Sequence, residues 1–132
     1  MRIDSGAGGS ARGPAEWFTG EVWLDQIAGP SQASAVSVLR VHFTPGARTA
    51  WHAHPRGQTL HVTEGAGFVQ SRGEPARPIR SGDTVWAEPG EWHWHGAAPD
   101  TLMSHLAVQE AVAGATAEWG EHVLSEYPPE PA

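Results

Sequence analysis

Glycine and proline punctuate this chain so densely that it must fold as many short elements joined by turns. Its 132 residues hold 16 glycines and 11 prolines, and punctuation at that density argues for a β-rich fold. Between the punctuation marks, apolar and polar residues alternate. Val36 to Phe43 has strand character and stops at Thr44-Pro45-Gly46. Thr59 to Thr63 is a second strand, ended by Glu64-Gly65. Gly67 to Arg72 and Pro78 to Arg80 flank a Gly73-Glu74-Pro75 turn, Thr84 to Ala87 ends at Pro89-Gly90, and Leu102 to Gln109 alternates again. Trp17-Phe18 and Glu21 to Leu24 straddle Thr19-Gly20. Helical periodicity is weak everywhere, and Glu110 to Trp119 is the only candidate. Seven to nine short strands predict a sandwich or barrel.

The working domain spans 15–126. Residues 1–14 read as a flexible lead with no signal-peptide pattern, and residues 127–132, with three prolines, as a disordered tail. No run of about 18 apolar residues is available to cross a membrane. The expected location is cytoplasmic. A single domain of this size buries roughly two-thirds of its unfolded surface and needs no disulfide or structural zinc. The chain has no cysteine and no lysine. Cysteine nucleophiles, iron–sulfur clusters, Schiff-base chemistry and a phosphate loop with its lysine are excluded. A formal charge of -7 is the wrong sign for a nucleic-acid binder.

Histidine carries the chemistry. His52 and His54 are two residues apart, as are His93 and His95. On a strand such pairs project side by side from one face. Each then needs only one or two further ligands from another strand to close around a divalent ion. Gln58 shares the parity of His54, and His105 lies on the last alternating segment. Trp51, Trp92 and Trp94 fall on the opposite face. His42 and His61 have outward parity and His122 lies near the tail, so these three read as structural.

Gly46, His52-Ala53-His54, Gln58 and Gly65 resemble the first motif of the cupin superfamily, with Gln58 where most members carry glutamate. Gly82-Asp83, Gly90 and His93 resemble the second motif. Glu88 occupies the usual proline position, Pro89 comes one residue late, and Ala97 replaces an expected asparagine. These departures alter turn geometry and remove no ligand. The resemblance narrows at Trp17-Phe18-Thr19-Gly20, Pro45 to His52, Gly57 to Leu60, Pro89-Gly90-Glu91, His93 to Pro99, Met103 to Ala107 with Gln109-Glu110, and Glu121-His122-Val123. Together these strings are similar to the manganese-dependent cupin hydroxynitrile lyases.

The resemblance implies an all-β cupin jelly roll with His52, His54, Gln58 and His93 as ligands of one divalent ion. It implies manganese, with iron, nickel, cobalt or zinc as alternatives. His95 and His105 become catalytic groups beside the ion. The implied reaction is reversible cleavage of a cyanohydrin to aldehyde and cyanide. A neutral amide at Gln58 leaves the ion its full formal charge, which favours Lewis-acid chemistry over oxygen activation. Two other readings stay open at this stage: an iron-dependent dioxygenase, and a non-catalytic small-molecule or metal-binding cupin.

Parity suggests the lining of the pocket. Leu39, Val41, Phe43, Leu60, Val62, Met103, Ala107 and Gln109 should face inward with His105, and no arginine shares that parity on these strands. An apolar cavity with a metal and a few neutral polar groups suits a small neutral organic substrate. Family resemblance suggests a homodimer or homotetramer; outward-facing Trp86, Trp92 and Trp94 are either its aromatic anchors or indoles packed under the chain's own loops, and both readings stay open here.

Overall fold

The computed structural model describes residues 1–6 and 9–130. It contains β1 (Ala11–Arg12), β2 (Phe18–Thr19), β3 (Val22–Ala28), β4 (Val36–Phe43), β5 (Arg48–Thr49) and β6 (His52–Ala53). These are followed by β7 (Gln58–Ser71), β8 (Arg77–Arg80), β9 (Thr84–Ala87), β10 (His93–Ala97), β11 (Met103–Glu110) and β12 (Glu118–Trp119). The strands run in the order β1-β3-β4-β11-β7-β10-β5-β2, with β6 between β10 and β12, and with β8 and β9 on β7. Every pairing is antiparallel, and the sheet curls into the jelly roll that the cupin resemblance implies.

The curl depends on β7, which serves both layers. Its first half pairs with β11 and β9, and its second half with β10 and β8. In the sequence, Gly65 reads as the end of one strand and Gly67 as the start of another. Both instead lie inside one 14-residue strand. Gly65 has φ +75°, and a Cβ there would sit 1.8 Å from the Leu102 carbonyl oxygen. A Cβ on Gly67 would sit 2.0 Å from that of Gly96. Only glycine permits such approaches, so these two residues turn the corner without breaking the ladder.

Inward-facing Val22, Val41, Phe43, Leu60, Val62 and Met103 fill the space between the layers. A second cluster of Trp51, Trp94 and Val123 lies on the outside of the layer carrying β10, with Phe68, Trp92 and Tyr127 packed on it. The C-terminal segment covers that cluster. The Trp51 N–H donates to the Glu121 carbonyl, the Arg48 guanidinium donates to the Val123 carbonyl, and the Tyr127 hydroxyl donates to the Ala97 carbonyl at 2.7 Å. Trp94 faces outward from its strand yet is fully buried under this segment, and Trp92 is half-buried against it. Of the three expected anchors only Trp86 is exposed, at 53%.

Three further expectations change. Glu110–Trp119 forms no helix: Val112 bridges Ala115 around Ala113 and Gly114, both with positive φ, and the chain then enters β12. Its weak periodicity loses to pairing with β6. Tyr127, placed in the tail by composition, docks on Trp94 with ring centroids 6.0 Å apart. At the other end β1 joins the lead to β3. Residues 7–8 of the lead and 131–132 of the tail lie outside the described residues. Among the described residues no helix is long and apolar enough to cross a membrane.

Candidate metal centre

The β6–β10 pairing sets His52 directly opposite His93, and directly opposed residues share a face. Their ring centroids are 4.4 Å apart. His54 lies 5.0 Å from His52 and 5.4 Å from His93, and His95 lies 5.1 Å from His52. All four rings are buried. One nitrogen from each of His52, His93 and His95 falls within 4.8 Å of the others. His54 stands immediately beside that trio.

Hydrogen bonds divide these imidazoles into two kinds. Nδ1 of His52 donates to the Ala50 carbonyl at 2.9 Å, that of His54 to Thr116 at 2.8 Å, and that of His93 to Glu91 at 2.8 Å. A carbonyl can only accept, so each of these rings carries its proton on Nδ1 and presents a lone pair at Nε2. Metal-ligating histidines are usually held this way. Nε2 of His54 is buried without a hydrogen-bond partner, an arrangement native proteins rarely leave uncompensated.

Gln58 is aimed at the same point. Its Nε2 donates to Oε1 of Gln109 at 3.1 Å, and Gln109 in turn donates to the Ser37 hydroxyl at 3.2 Å. That chain directs the Gln58 carbonyl oxygen toward Nε2 of His93, 3.2 Å away. With the His93 proton committed to Glu91, two acceptors face each other, which favours a shared cation. The donor set of neutral nitrogens and an amide oxygen fits a divalent ion.

His95 and His105 differ. Nδ1 of His95 lies 3.0 Å from Nε2 of His105, while Nε2 of His95 and Nδ1 of His105 are buried without partners. One proton is shared along this pair, and no carbonyl fixes its position. Phe43 packs edge-on against His95 and tilted against His105, at 5.9 and 5.3 Å.

Burial keeps all five rings neutral. It pushes His54 and His105 down to about 4. It holds His52 and His95 well below the ordinary imidazole value, with neighbouring histidines adding to the effect, and it lowers His93. Neutral imidazoles are the ligand form. In the unfolded chain they protonate as pH falls through about 6.5, so between about 6.5 and about 4 the unfolded state binds more protons. Stability of the metal-free protein should therefore be fully present above about pH 7 and decline as pH falls across that window. At about 1.4 kcal/mol per pKa unit and group, the loss is on the order of several kcal/mol. Chemical denaturation of chelator-treated protein at a series of pH values measures it, and a flat profile would contradict it.

A cavity of about 350 Å³ opens beside the imidazoles. Leu39, Val41, Ala107, Gln109 and His105 line it as parity suggests. Phe43, Leu60, Val62 and Met103 do not line it; they lie in the core beneath. Alternation fixes the face of a side chain, whereas distance along the strand decides whether it meets the cavity or the closed end. Trp17, Phe18, Thr116 and Trp119 also line the cavity. No periodic signal marks Thr116 or Trp119, which contribute through a loop and a two-residue strand. His42, His61 and His122 lie elsewhere. His42 bridges Asp25 and Ser104 at 2.9 Å each, His61 meets Thr84, and His122 meets Thr19.

The cupin-domain family matches residues 39–108 of the chain. The (R)-mandelonitrile lyase of Granulicella tundricola is 51% identical over 121 residues, covering 92% of each chain. The crystal structure of a cupin-like protein from Thermotoga maritima is similar at 44% identity and TM-score 0.83, covering 88% of each chain. A predicted oxalate decarboxylase from the same organism has TM-score 0.72 at 22% identity, over 82% of this chain and 96% of its own. The last match shows the shared fold alone.

Proposed function

The chain belongs to the cupin-domain family, and from that premise we propose that it is a metal-dependent lyase that cleaves small cyanohydrins to aldehyde and cyanide. His52, His54, Gln58 and His93 hold the ion in this reading. The observation that carries it is the set of three imidazoles locked by backbone carbonyls with Nε2 free, joined by an amide oxygen aimed at the same point. His95 belongs by distance to the histidine cluster, yet its Nδ1 meets a titratable neighbour instead of a carbonyl. That difference supports a proton-transfer role for it in this reading.

A bound divalent ion supplies Lewis acidity at the substrate oxygen, and we take it to be manganese. The residues of the chain do the remaining work. Leu39, Val41 and Phe18 hold the organic group of a neutral substrate out of water. The His95–His105 pair has two tautomers. In one, Nε2 of His95 carries a lone pair and accepts the hydroxyl proton; in the other it carries the proton. As the carbon–carbon bond breaks, its electron pair leaves with cyanide and the carbonyl forms. The proton taken from the hydroxyl then returns to cyanide as hydrogen cyanide. Among the described residues no side chain lining the cavity carries a fixed positive charge to clamp a carboxylate or phosphate. Assembly into a homodimer or homotetramer, with exposed Trp86 as an anchor, and action in the cytoplasm complete the reading.

Elemental analysis of protein purified without added metal, paired with a mandelonitrile cleavage assay, tests the proposal. Stoichiometric manganese with cyanide release is the expected result. Iron with oxygen uptake would favour the dioxygenase reading, and a metal-loaded protein inert toward every cyanohydrin offered would favour the binding protein.

A further inference from the structure

The segment after β11 lies outside the residues matched by the cupin-domain family, yet it reaches the histidines at two points. The Thr116 carbonyl accepts the Nδ1 proton of His54. Trp119 pairs directly opposite His52 across the β6–β12 ladder, so the two side chains share a face. Their rings stack with centroids 4.6 Å apart and planes 30° apart. Trp17 stacks on the same indole at 5.0 Å and 7°, and Phe18 tilts against it at 6.0 Å. The Gly120 N–H donates to the Trp51 carbonyl at 2.8 Å, fixing the register one residue beyond the indole.

We propose that Trp119 is a positioning residue for the metal: its indole, braced by Trp17, holds the His52 ring in the orientation that presents Nε2 to the ion. The proposal rests on His52 being a ligand. The Ala50 carbonyl fixes which nitrogen of His52 carries the proton, but one hydrogen bond leaves the ring free to rock about that contact. A stacked aromatic plane removes this freedom before the ion arrives. Partners that orient a ligand in this manner typically contribute about 10- to 100-fold in metal affinity. The C-terminal segment thereby holds two of the three carbonyl-locked imidazoles, His54 through its backbone and His52 through this indole.

Two substitutions separate stacking from space filling. Trp119→Leu keeps apolar volume without an aromatic plane, and Trp119→Phe keeps a plane. Manganese(II) affinity of the chelator-treated full chain is read by calorimetry, and quenching of tryptophan emission by the bound ion is read in parallel. Trp119→Leu should bind manganese about 10-fold more weakly or worse, and Trp119→Phe within a few-fold of the parent. Trp119→Phe should also lose part of the metal-dependent quenching, because it removes the indole beside the site. Parent-like affinity in Trp119→Leu overturns the proposal. Should Trp119→Leu fail to unfold cooperatively, undiminished quenching in Trp119→Phe overturns it instead. A parent chain that binds no manganese, cobalt or iron at all would sink the metal reading itself, a different outcome from parent binding that ignores Trp119.

Discussion

His52→Ala is expected to yield a folded barrel that has lost its metal and all metal-dependent turnover. His52 is fully buried, opposes His93 across β6–β10, and meets the rings of His54, His93 and His95. Removing it takes away one locked nitrogen and also the ring on which Trp119 stacks. Loss of a direct ligand should exceed the 10- to 100-fold typical of a supporting contact, so affinity should fall by more than about 100-fold. The fold should survive. Val22, Leu60, Val62 and Met103 belong to an apolar core that does not depend on the metal, and a barrel with its own core gains stability from metal without requiring it. Elemental analysis and circular dichroism of the same preparation check both halves. His95→Ala is the matched control: its ring is equally buried, but it should keep the metal. Full occupancy in His52→Ala would refute the ligand set.

Much of this site was legible in the sequence because strand geometry is local. Spacing of two places His52 beside His54 and His93 beside His95 wherever those strands go, and the structure keeps all four rings together. The outward parity of His42 and His61 likewise holds, with both side chains bonded to neighbours on the outer face. What parity cannot give is depth. Phe43, Leu60, Val62 and Met103 share the inward face with Val41 and Ala107 but sit beneath the cavity. Nor does alternation say what covers an outward face. Trp94 points away from the histidines as expected, yet the C-terminal segment buries it against Val123 and Tyr127. The contributions of Thr116 and Trp119 depend on where a loop returns. Pairing between residues far apart in sequence decides that, and the weak helical periodicity over Glu110–Trp119 carries no trace of it.

His105→Ala should keep the metal and lose most of the chemistry. His105 is fully buried and lines the cavity, and its Nε2 meets Nδ1 of His95 rather than the locked imidazoles. Metal content per chain should therefore match the parent. Turnover should fall by on the order of 10²- to 10⁴-fold, the range associated with a positioned acid–base group. The physical reason lies in the tautomers: without His105, Nδ1 of His95 has no partner to hand its proton to or take it from. His95 can still take the proton and return it through Nε2, but the charged ring formed between those two steps is then buried with no neighbouring imidazole to share its proton. Burial makes that charge costly, as the depressed pKa of His95 reflects. The loss should consequently fall on kcat more than on KM, because the apolar wall of Leu39, Val41 and Phe18 is untouched. Added imidazole small enough to enter the space left by the deleted ring should restore part of the rate. Metal loss in His105→Ala would place this residue among the groups that hold the ion. Unchanged kcat with full metal would leave His95 as the sole proton carrier, working through a single nitrogen.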